Sequence, residues 1–438
     1  MLQLTHKKLL NLAESIYMAI FKRRSGAIME DFLSNLSWSS IGFVFNALTL
    51  FIVNTLAGRL LGPEGYGKYN LVLVFANLVS VFVLLGMQTV TVKFLSESDN
   101  EDDKRKFMSN SLMIVTANSF IFLVILGIIF SLNPFGVAIK NSIFLLMVAV
   151  FAIFLSYKAL FESIAKGFNL FKMQSKVKII ESLIVIVAFV FFFYFLKLNS
   201  AYYYILSLII GMLAFCIYLY VKISNLIVPW DQVYFKKTIR YSKNTIILLI
   251  ISTLMSYADR LYVGRFLGMH DLGIYSAYLT SSTVFVGQIM LLLNNVFFPT
   301  IAAIKDKQAI RYQLDKVAIF SFLPIFVILS GISYLVISFF GKEFEKNIFL
   351  IAVFSFLAFL QLFGSLYLSL VLTQDTTYEK YKNLLYVLPI IVFLSYFLLW
   401  LFNFNSLSCA VLVYSIYIIY NFTIIRLSCN YAKNKIID

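Results

Sequence analysis

Apolar runs of 18 or more residues recur along this 438-residue chain, and no other feature limits its fold so sharply. A membrane-spanning helix needs about 20 apolar residues, because backbone N–H and C=O groups in hydrocarbon must be paired within the segment. Twelve spans are predicted, at roughly 36–57, 70–93, 109–132, 141–162, 177–197, 201–223, 244–267, 274–299, 317–340, 348–372, 385–402 and 407–427. Only 13% of the residues are charged, against about a quarter in a soluble domain. The chain is therefore expected to be an all-α polytopic membrane protein, with no soluble domain of useful size between its spans.

The charges give an orientation. Twenty-eight Lys and Arg fall in the N-terminus, the even-to-odd loops and the C-terminus, and 7 in the other connections. By the positive-inside rule both termini are expected to be cytoplasmic and both glycine hinges to face outward. A net charge of +15 is also what a nucleic-acid binder carries. Basic residues in short loops between spans are instead topology determinants, so no nucleic-acid partner is expected and membrane lipids are. Residues 1–35 lack a 20-residue apolar run. Leu2, Leu9, Leu10, Ile16 and Ile20, mixed with Lys7, Lys8, Lys22, Arg23 and Arg24, predict an interfacial amphipathic segment that is retained.

A duplication orders the spans. Gly58-Arg59-Leu60-Leu61-Gly62-Pro63-Glu64-Gly65-Tyr66-Gly67-Lys68-Tyr69 recurs 206 residues later as Gly264-Arg265-Phe266-Leu267-Gly268-Met269-His270-Asp271-Leu272-Gly273-Ile274-Tyr275. Gly58, Arg59, Leu61, Gly62, Gly67 and Tyr69 are repeated without a gap. Each copy is a hinge after the first span of a half. Six spans per half make the repeats parallel, related by a pseudo-two-fold axis along the membrane normal with a central cavity between them. The expected organisation is an interfacial segment at 1–35, an N-terminal six-helix lobe at 36–223, a cytoplasmic linker at 224–243, a C-terminal six-helix lobe at 244–427, and a tail at 428–438.

Most chemistry is excluded. The cysteines Cys216, Cys409 and Cys429 have no metal-type spacing, and His6 and His270 are the only histidines. No metal, cofactor or catalytic constellation is expected, and the hinge glycines lack the strand and GK[ST] of a phosphate loop. The chain reads as a transporter and not an enzyme, driven by gradients or substrate asymmetry.

Asp259 and Arg260 are the adjacent opposite charges well inside a span, with Asp259 about 9 Å below its outer end. Such ions usually face a bundle interior or a wet cavity. Residues one apart diverge by about 100°, so the two are not expected to neutralise each other, and partners on other helices are implied. Ser252, Thr253, Ser256, Tyr257, Asp259, Arg260 and Gly264 share a sector of about 160°. The width of that sector favours a substrate or ion pathway over a simple interhelical lock.

Milder polar stripes follow Gly42, Asn46 and Thr49 on span 1; Asn77, Ser80, Gln88 and Thr91 on span 2; and Ser281, Gln288 and Asn295 on span 8. Each such residue commonly bonds a neighbouring helix, while the set is compatible with a cavity lining. Lys93 suits either a cytoplasm-facing cavity or lipid headgroups. Lys158 and Glu162, spaced i,i+4, are expected to form a surface pair. Arg59 and Arg265 are expected to snorkel at the outer surface.

The first hinge, the Tyr257-Ala258-Asp259-Arg260 and Gly264-Arg265-Phe266-Leu267-Gly268 stretches, and Phe298-Pro299 at the end of span 8 resemble Wzx-type oligosaccharide flippases. These belong to the multidrug/oligosaccharidyl-lipid/polysaccharide (MOP) exporter superfamily. The similarity covers about residues 30–430, with Met269 in the second hinge where the first has Pro63. The resemblance implies a V-shaped pair of lobes and a polyprenyl-diphosphate-linked oligosaccharide flipped from the cytoplasmic to the outer leaflet by alternating access. Glycan polymerase or assembly proteins are the implied protein partners. A diphosphate in low dielectric needs a cation, and Arg260 is the deepest one. With it, Asp259, Tyr257, Ser256, Asn46, Gln88, Lys93, Gln288 and Asn295 are the substrate-binding candidates. Two other readings stand beside the flippase. One is a cation-coupled multidrug antiporter of the same superfamily, with Asp259 carrying the ion. The other is a non-transporting partner in polymer assembly.

Overall fold

A computed structural model describes residues 27–132, 142–287, 289–290, 307–373, 380–381, 383–403 and 406–431. The described residues are helices and short connections, with no strand among them. In chain order they form α1 (Ala27–Leu84), α2 (Met87–Glu97), α3 (Glu101–Leu132), α4 (Ser142–Gly167), α5 (Phe171–Val190), α6 (Ala201–Ile223), α7 (Gln232–Phe266), α8 (Met269–Leu279), α9 (Lys307–Phe340), α10 (Ile348–Leu372), α11 (Leu388–Leu401) and α12 (Leu407–Tyr431). Five-residue π-helical turns extend α5 over Phe191–Phe195 and α8 over Thr280–Val284. Residues 1–26 of the expected interfacial segment and the Asn133-Pro134-Phe135-Gly136 and Phe298-Pro299 stretches lie outside the described residues.

Ten described helices are long and apolar enough to cross a membrane. The first, Ser40–Leu84, has 45 residues; at about 1.5 Å per residue it is more than twice the thickness of a hydrocarbon core and is two crossings. The ten thus cover every predicted span but the eighth, which runs beyond the described residues after residue 290. The protein is an all-α polytopic membrane protein.

The hinge inside α1 is a break of a single residue, where twelve residues of connection were expected. Gly62 has φ 66 and ψ 176, and its repeat mate Gly268 has φ 100 and ψ 178. That region of backbone space is essentially reserved for glycine. Helix resumes at once in both copies, with Pro63 in the first-turn position that a proline tolerates. Met269 takes the same place in α8, so the substitution leaves the turn unchanged.

The second predicted span is not one helix. Leu85 and Gly86, both with positive φ (47° and 75°), separate α1 from α2. One glycine in an apolar run gave no signal of this. The break strands backbone carbonyls, and polar side chains of other helices recover them. Asn118 donates to the Val83 carbonyl at 3.2 Å and Ser242 donates to that of Leu85. A non-helical step at membrane depth is tolerable on that condition.

The chain divides into two compact units, residues up to 53 with 72–254, and residues 54–71 with 255–438. The first unit has a core of Val83, Met87, Val90, Leu95, Met108, Val115, Leu160, Val177 and Phe215, with Phe94 stacked on Phe107 at 4.5 Å. The second is centred on aromatic residues. Tyr66, Tyr275, Tyr278, Phe340 and Phe354 are almost fully buried. Tyr66 packs edge-on against Phe340 at 5.2 Å, while its hydroxyl takes a hydrogen bond from Asn54 at 2.9 Å and shares one with Thr280 at 3.1 Å.

Within this second unit the two hinges lie backbone to backbone. A Cβ added at Gly67 falls 1.9 Å from the Met269 carbonyl oxygen, and one at Gly273 falls 1.8 Å from that of Pro63. Gly67 and Gly273 are repeat mates, and so are Pro63 and Met269. The contact is therefore reciprocal, as across a two-fold axis. Gly67→Ala or Gly273→Ala is expected to destabilise the detergent-solubilised protein by about 1–3 kcal/mol or more, because the backbones must part. Gly127→Ala, where a Cβ meets nothing within 4 Å, should be neutral or stabilising; thermal unfolding of the three variants checks this.

Candidate functional site

The Asp259–Arg260 pair sits on the portion of α7 that belongs to the second unit. Asp259 is 2% exposed and shares its buried face with Tyr262 and Val263. Tyr275 on α8 donates its hydroxyl to Asp259 Oδ2 at 2.8 Å. Arg260 lies toward the more open side, where its Nη2 donates to the Ser256 carbonyl at 2.6 Å. Its guanidinium carbon stands 4.4 Å from the Tyr257 ring centroid. This combination of a back-bonded guanidinium and a cation–π contact fixes the side chain with residues of its own helix.

The two charges meet after all. The arginine stem is long enough to bend back, and Arg260 Nε reaches 3.6 Å from Asp259 Oδ1. The expectation that residues one apart cannot face each other held for the Cα–Cβ directions and not for the tip of a flexible side chain. At that separation the contact is one of charge and not a hydrogen bond. Neither Asp259 Oδ1 nor Arg260 Nε has a hydrogen-bond partner among the described residues. A buried network with unsatisfied members is costly to stability.

Tyrosines surround the pair. Besides Tyr257 and Tyr275, Tyr396 on α11 and Tyr414 and Tyr417 on α12 lie within electrostatic reach of the Asp259 carboxylate. Tyr414 packs edge-on to Tyr275 at 6.4 Å and takes a hydrogen bond from Gln361 at 3.2 Å. These residues went unnoticed in the sequence. Their signal was their depth, since tyrosine usually gathers at the membrane interfaces. The site can present a planar guanidinium, suited to bidentate phosphate oxygens, beside a fixed carboxylate and phenols that offer both a flat face and a hydroxyl.

The other sequence candidates are distributed differently. Asn46 donates its amide to Ser182 Oγ on α5 at 2.8 Å, and a Cβ on Gly42 would collide with Ser175. That face of α1 is packed against α5 inside the first unit. Gln88 is half-buried just after the helix break. Lys93 stands 4.1 Å from the Tyr241 ring centroid and 3.8 Å from Glu97. Ser256 is exposed and Tyr257 half-buried on α7. Gln288 and Asn295 lie outside the described residues, and Ser281 is turned inward to the Tyr278 carbonyl at 3.0 Å. Among the described candidates, only Ser256, Tyr257, Asp259 and Arg260 form one cluster.

Lys158 and Glu162 are not a surface pair. Lys158 binds Glu181 on α5 at 2.5 Å, with Glu181 2% exposed, while Glu162 binds Lys178 at 3.3 Å. Two crossed pairs join α4 to α5, and Glu181 and Lys178 inside a span were the overlooked signal. A further cluster ties α9, α10 and α12 together. Asp315 takes hydrogen bonds from Tyr367 at 2.6 Å and from Arg426, and lies 3.9 Å from Arg311 Nε.

A polytopic, all-helical membrane protein with charged side chains held inside its spans is the class that this architecture defines. The profile of the family described as "Polysaccharide biosynthesis protein" matches residues 32–305, and the chain belongs to that family. It is 24% identical over 334 residues to a Shigella flexneri protein to which the role of O-antigen transporter has been ascribed, covering 72% of this chain and 78% of that one. Among solved structures it is similar to a multidrug resistance MATE family transporter of the MOP superfamily in an inward-facing conformation. That match has TM-score 0.59 and 13% identity over 91% of this chain and 98% of the other. A MATE crystal structure in complex with MaL6 gives TM-score 0.60 and 13% identity over 92% and 96%. These structural likenesses establish a shared fold.

Glu181→Ala strands a buried lysine and should cost about 3–5 kcal/mol, whereas the paired change Lys158→Met with Glu181→Leu should recover most of it. Tyr275→Phe removes one donor to Asp259 and should cost about 1–3 kcal/mol. Thermal melts in detergent read both effects.

Proposed function

We propose that this protein is a flippase that moves a polyprenyl-diphosphate-linked oligosaccharide from the cytoplasmic to the outer leaflet by alternating access, for surface polysaccharide synthesis. The observation that carries the reading is the guanidinium of Arg260, held within the spans by Tyr257 and the Ser256 carbonyl in a member of a polysaccharide biosynthesis family. A diphosphate has to lose much of its hydration to cross, and an arginine fork already in place can replace it. Asp259 keeps that cation from standing uncompensated when no substrate is bound. The phenols and Ser256 offer donors and flat faces to sugar hydroxyls. Gln88, Lys93, Gln288 and Asn295 are proposed to meet the substrate elsewhere along its path, and Asn46 to position α1. Both termini are proposed to be cytoplasmic in the plasma (inner) membrane, and glycan polymerase or assembly proteins to receive the product.

The buried Asp259 oxygen with no described hydrogen-bond partner favours one second reading, a cation-coupled multidrug antiporter in which this carboxylate carries the ion. Leaflet exchange of a labelled lipid-linked oligosaccharide in vesicles separates the two. Arg260→Ala is expected to lower exchange about 100-fold or more, since stranding a desolvated charge costs roughly 3–5 kcal/mol. Arg260→Lys should retain part of the activity, and both variants should insert and accumulate normally. Full exchange by Arg260→Ala would sink the role given to Arg260. Cation-driven dye efflux with no lipid exchange by the unaltered protein would select the antiporter.

A further inference from the structure

The start of α5 carries a feature that lies outside the Asp259–Arg260 cluster. A cavity of about 310 Å³ is lined by Asn169, Leu170, Lys172, Met173, Lys176 and Tyr218. It has two lysines and no acidic lining residue, and neither lysine forms an ion pair with a described residue. Lys172 is steadied by the Trp38 ring, 5.3 Å from its Nζ. This end of α5 is the one that the Lys and Arg bias assigns to the cytoplasm, where anionic headgroups lie.

A second, apolar groove lies further along the same two helices. It has a volume of about 460 Å³ and is lined by Ile180, Leu183, Ile184, Val187 and Phe191 on α5 and its π-helical turn, and by Ile210 on α6, among others. At 100° per residue Lys172, Lys176, Ile180, Leu183, Val187 and Phe191 fall within about 100° of one another. They make one stripe that is basic at its inner end and apolar above. From Lys176 to Phe191 the stripe rises about 22 Å, at about 1.5 Å per residue, enough for an acyl chain of one leaflet. Ile180, Leu183, Val187 and Phe191 are exposed on the first unit.

A basic cavity in register with an apolar groove has the shape and chemistry of an amphiphile. We propose that α5 and α6 form a binding site for one anionic phospholipid, with its phosphate diester on Lys172, Lys176, Asn169 and Tyr218 and an acyl chain along the groove. The occupant is a phospholipid and not the transported glycolipid, because the groove lining described here offers nothing polar to sugars. This inference rests on the membrane location of the chain and is independent of the flippase reading.

The test is native mass spectrometry of the full chain titrated with phosphatidylglycerol or phosphatidylcholine. One phosphatidylglycerol should stay bound under conditions that strip phosphatidylcholine. Lys172→Gln with Lys176→Gln should weaken it about 30-fold, at roughly a factor of five per lysine. Val187→Trp should weaken it with both lysines present, by filling the groove about 16 Å from the head. Lys197→Gln, beyond the other end of α5, should change nothing. Equal retention of the two lipids, or no effect of the double lysine change, would overturn the proposal in favour of ordinary bilayer contact. Displacement by inorganic phosphate alone would overturn it in favour of a free-phosphate pocket, and displacement by polyprenyl diphosphate in favour of a substrate site.

Discussion

The reciprocal contact between the two hinges is the constraint on which the second unit depends. Gly67 meets the Met269 carbonyl and Gly273 meets that of Pro63, so the backbones approach as closely as two chains without side chains can. Each half of the contact needs a glycine, and each hinge needs a second glycine, Gly62 or Gly268, to turn the chain into it. The contact also places Tyr66 beside Thr280 and Phe340. From there the aromatic core extends through Tyr278 and Phe354 to Tyr275, whose hydroxyl holds Asp259. The charged site is thus supported, through rings, by a main-chain packing contact.

Among the described residues, two sets of charges inside the helices are paired between helices. Lys158, Glu162, Lys178 and Glu181 pair across two helices, and Asp315 is held by Tyr367 and two arginines. Buried ions arranged this way specify which helices are neighbours and add little net stability, because desolvation offsets attraction. Asp259 and Arg260 differ. They are neighbours on one helix and contact each other only loosely; each keeps an atom with no hydrogen-bond partner among the described residues, as Glu181 (Oε2) and Arg311 (Nε) also do.

Much of this was legible in the sequence, and the parts that were not share a cause. Span number, the duplicated hinge and the depth of Asp259 and Arg260 depend on local patterns, and apolar length and repeated glycines report them directly. The partner of a charge depends on which helices are adjacent. The i,i+4 spacing of Lys158 and Glu162 therefore suggested a pair that Glu181 and Lys178 displace. The tyrosines about Asp259 come from four helices, α7, α8, α11 and α12, and no periodicity within one helix could gather them. The break at Leu85–Gly86 was silent for the same reason, since it is tolerated only because Asn118 and Ser242 arrive from elsewhere.

The membership of residues 54–71 in the second unit has a consequence for biosynthesis. The first hinge leaves the ribosome 206 residues ahead of the segment it packs against, a delay of roughly 10–40 s at usual elongation rates of 5–20 residues per second. During that interval its glycine backbone lacks the stretch of chain it packs against and Tyr66 lacks Thr280 and Phe340, although the helices on either side are already in the bilayer. Separately expressed halves would each begin life with one side of the clasp missing. Assembly of the second unit is consequently a late, long-range event in which the earliest hairpin is the last piece to be seated.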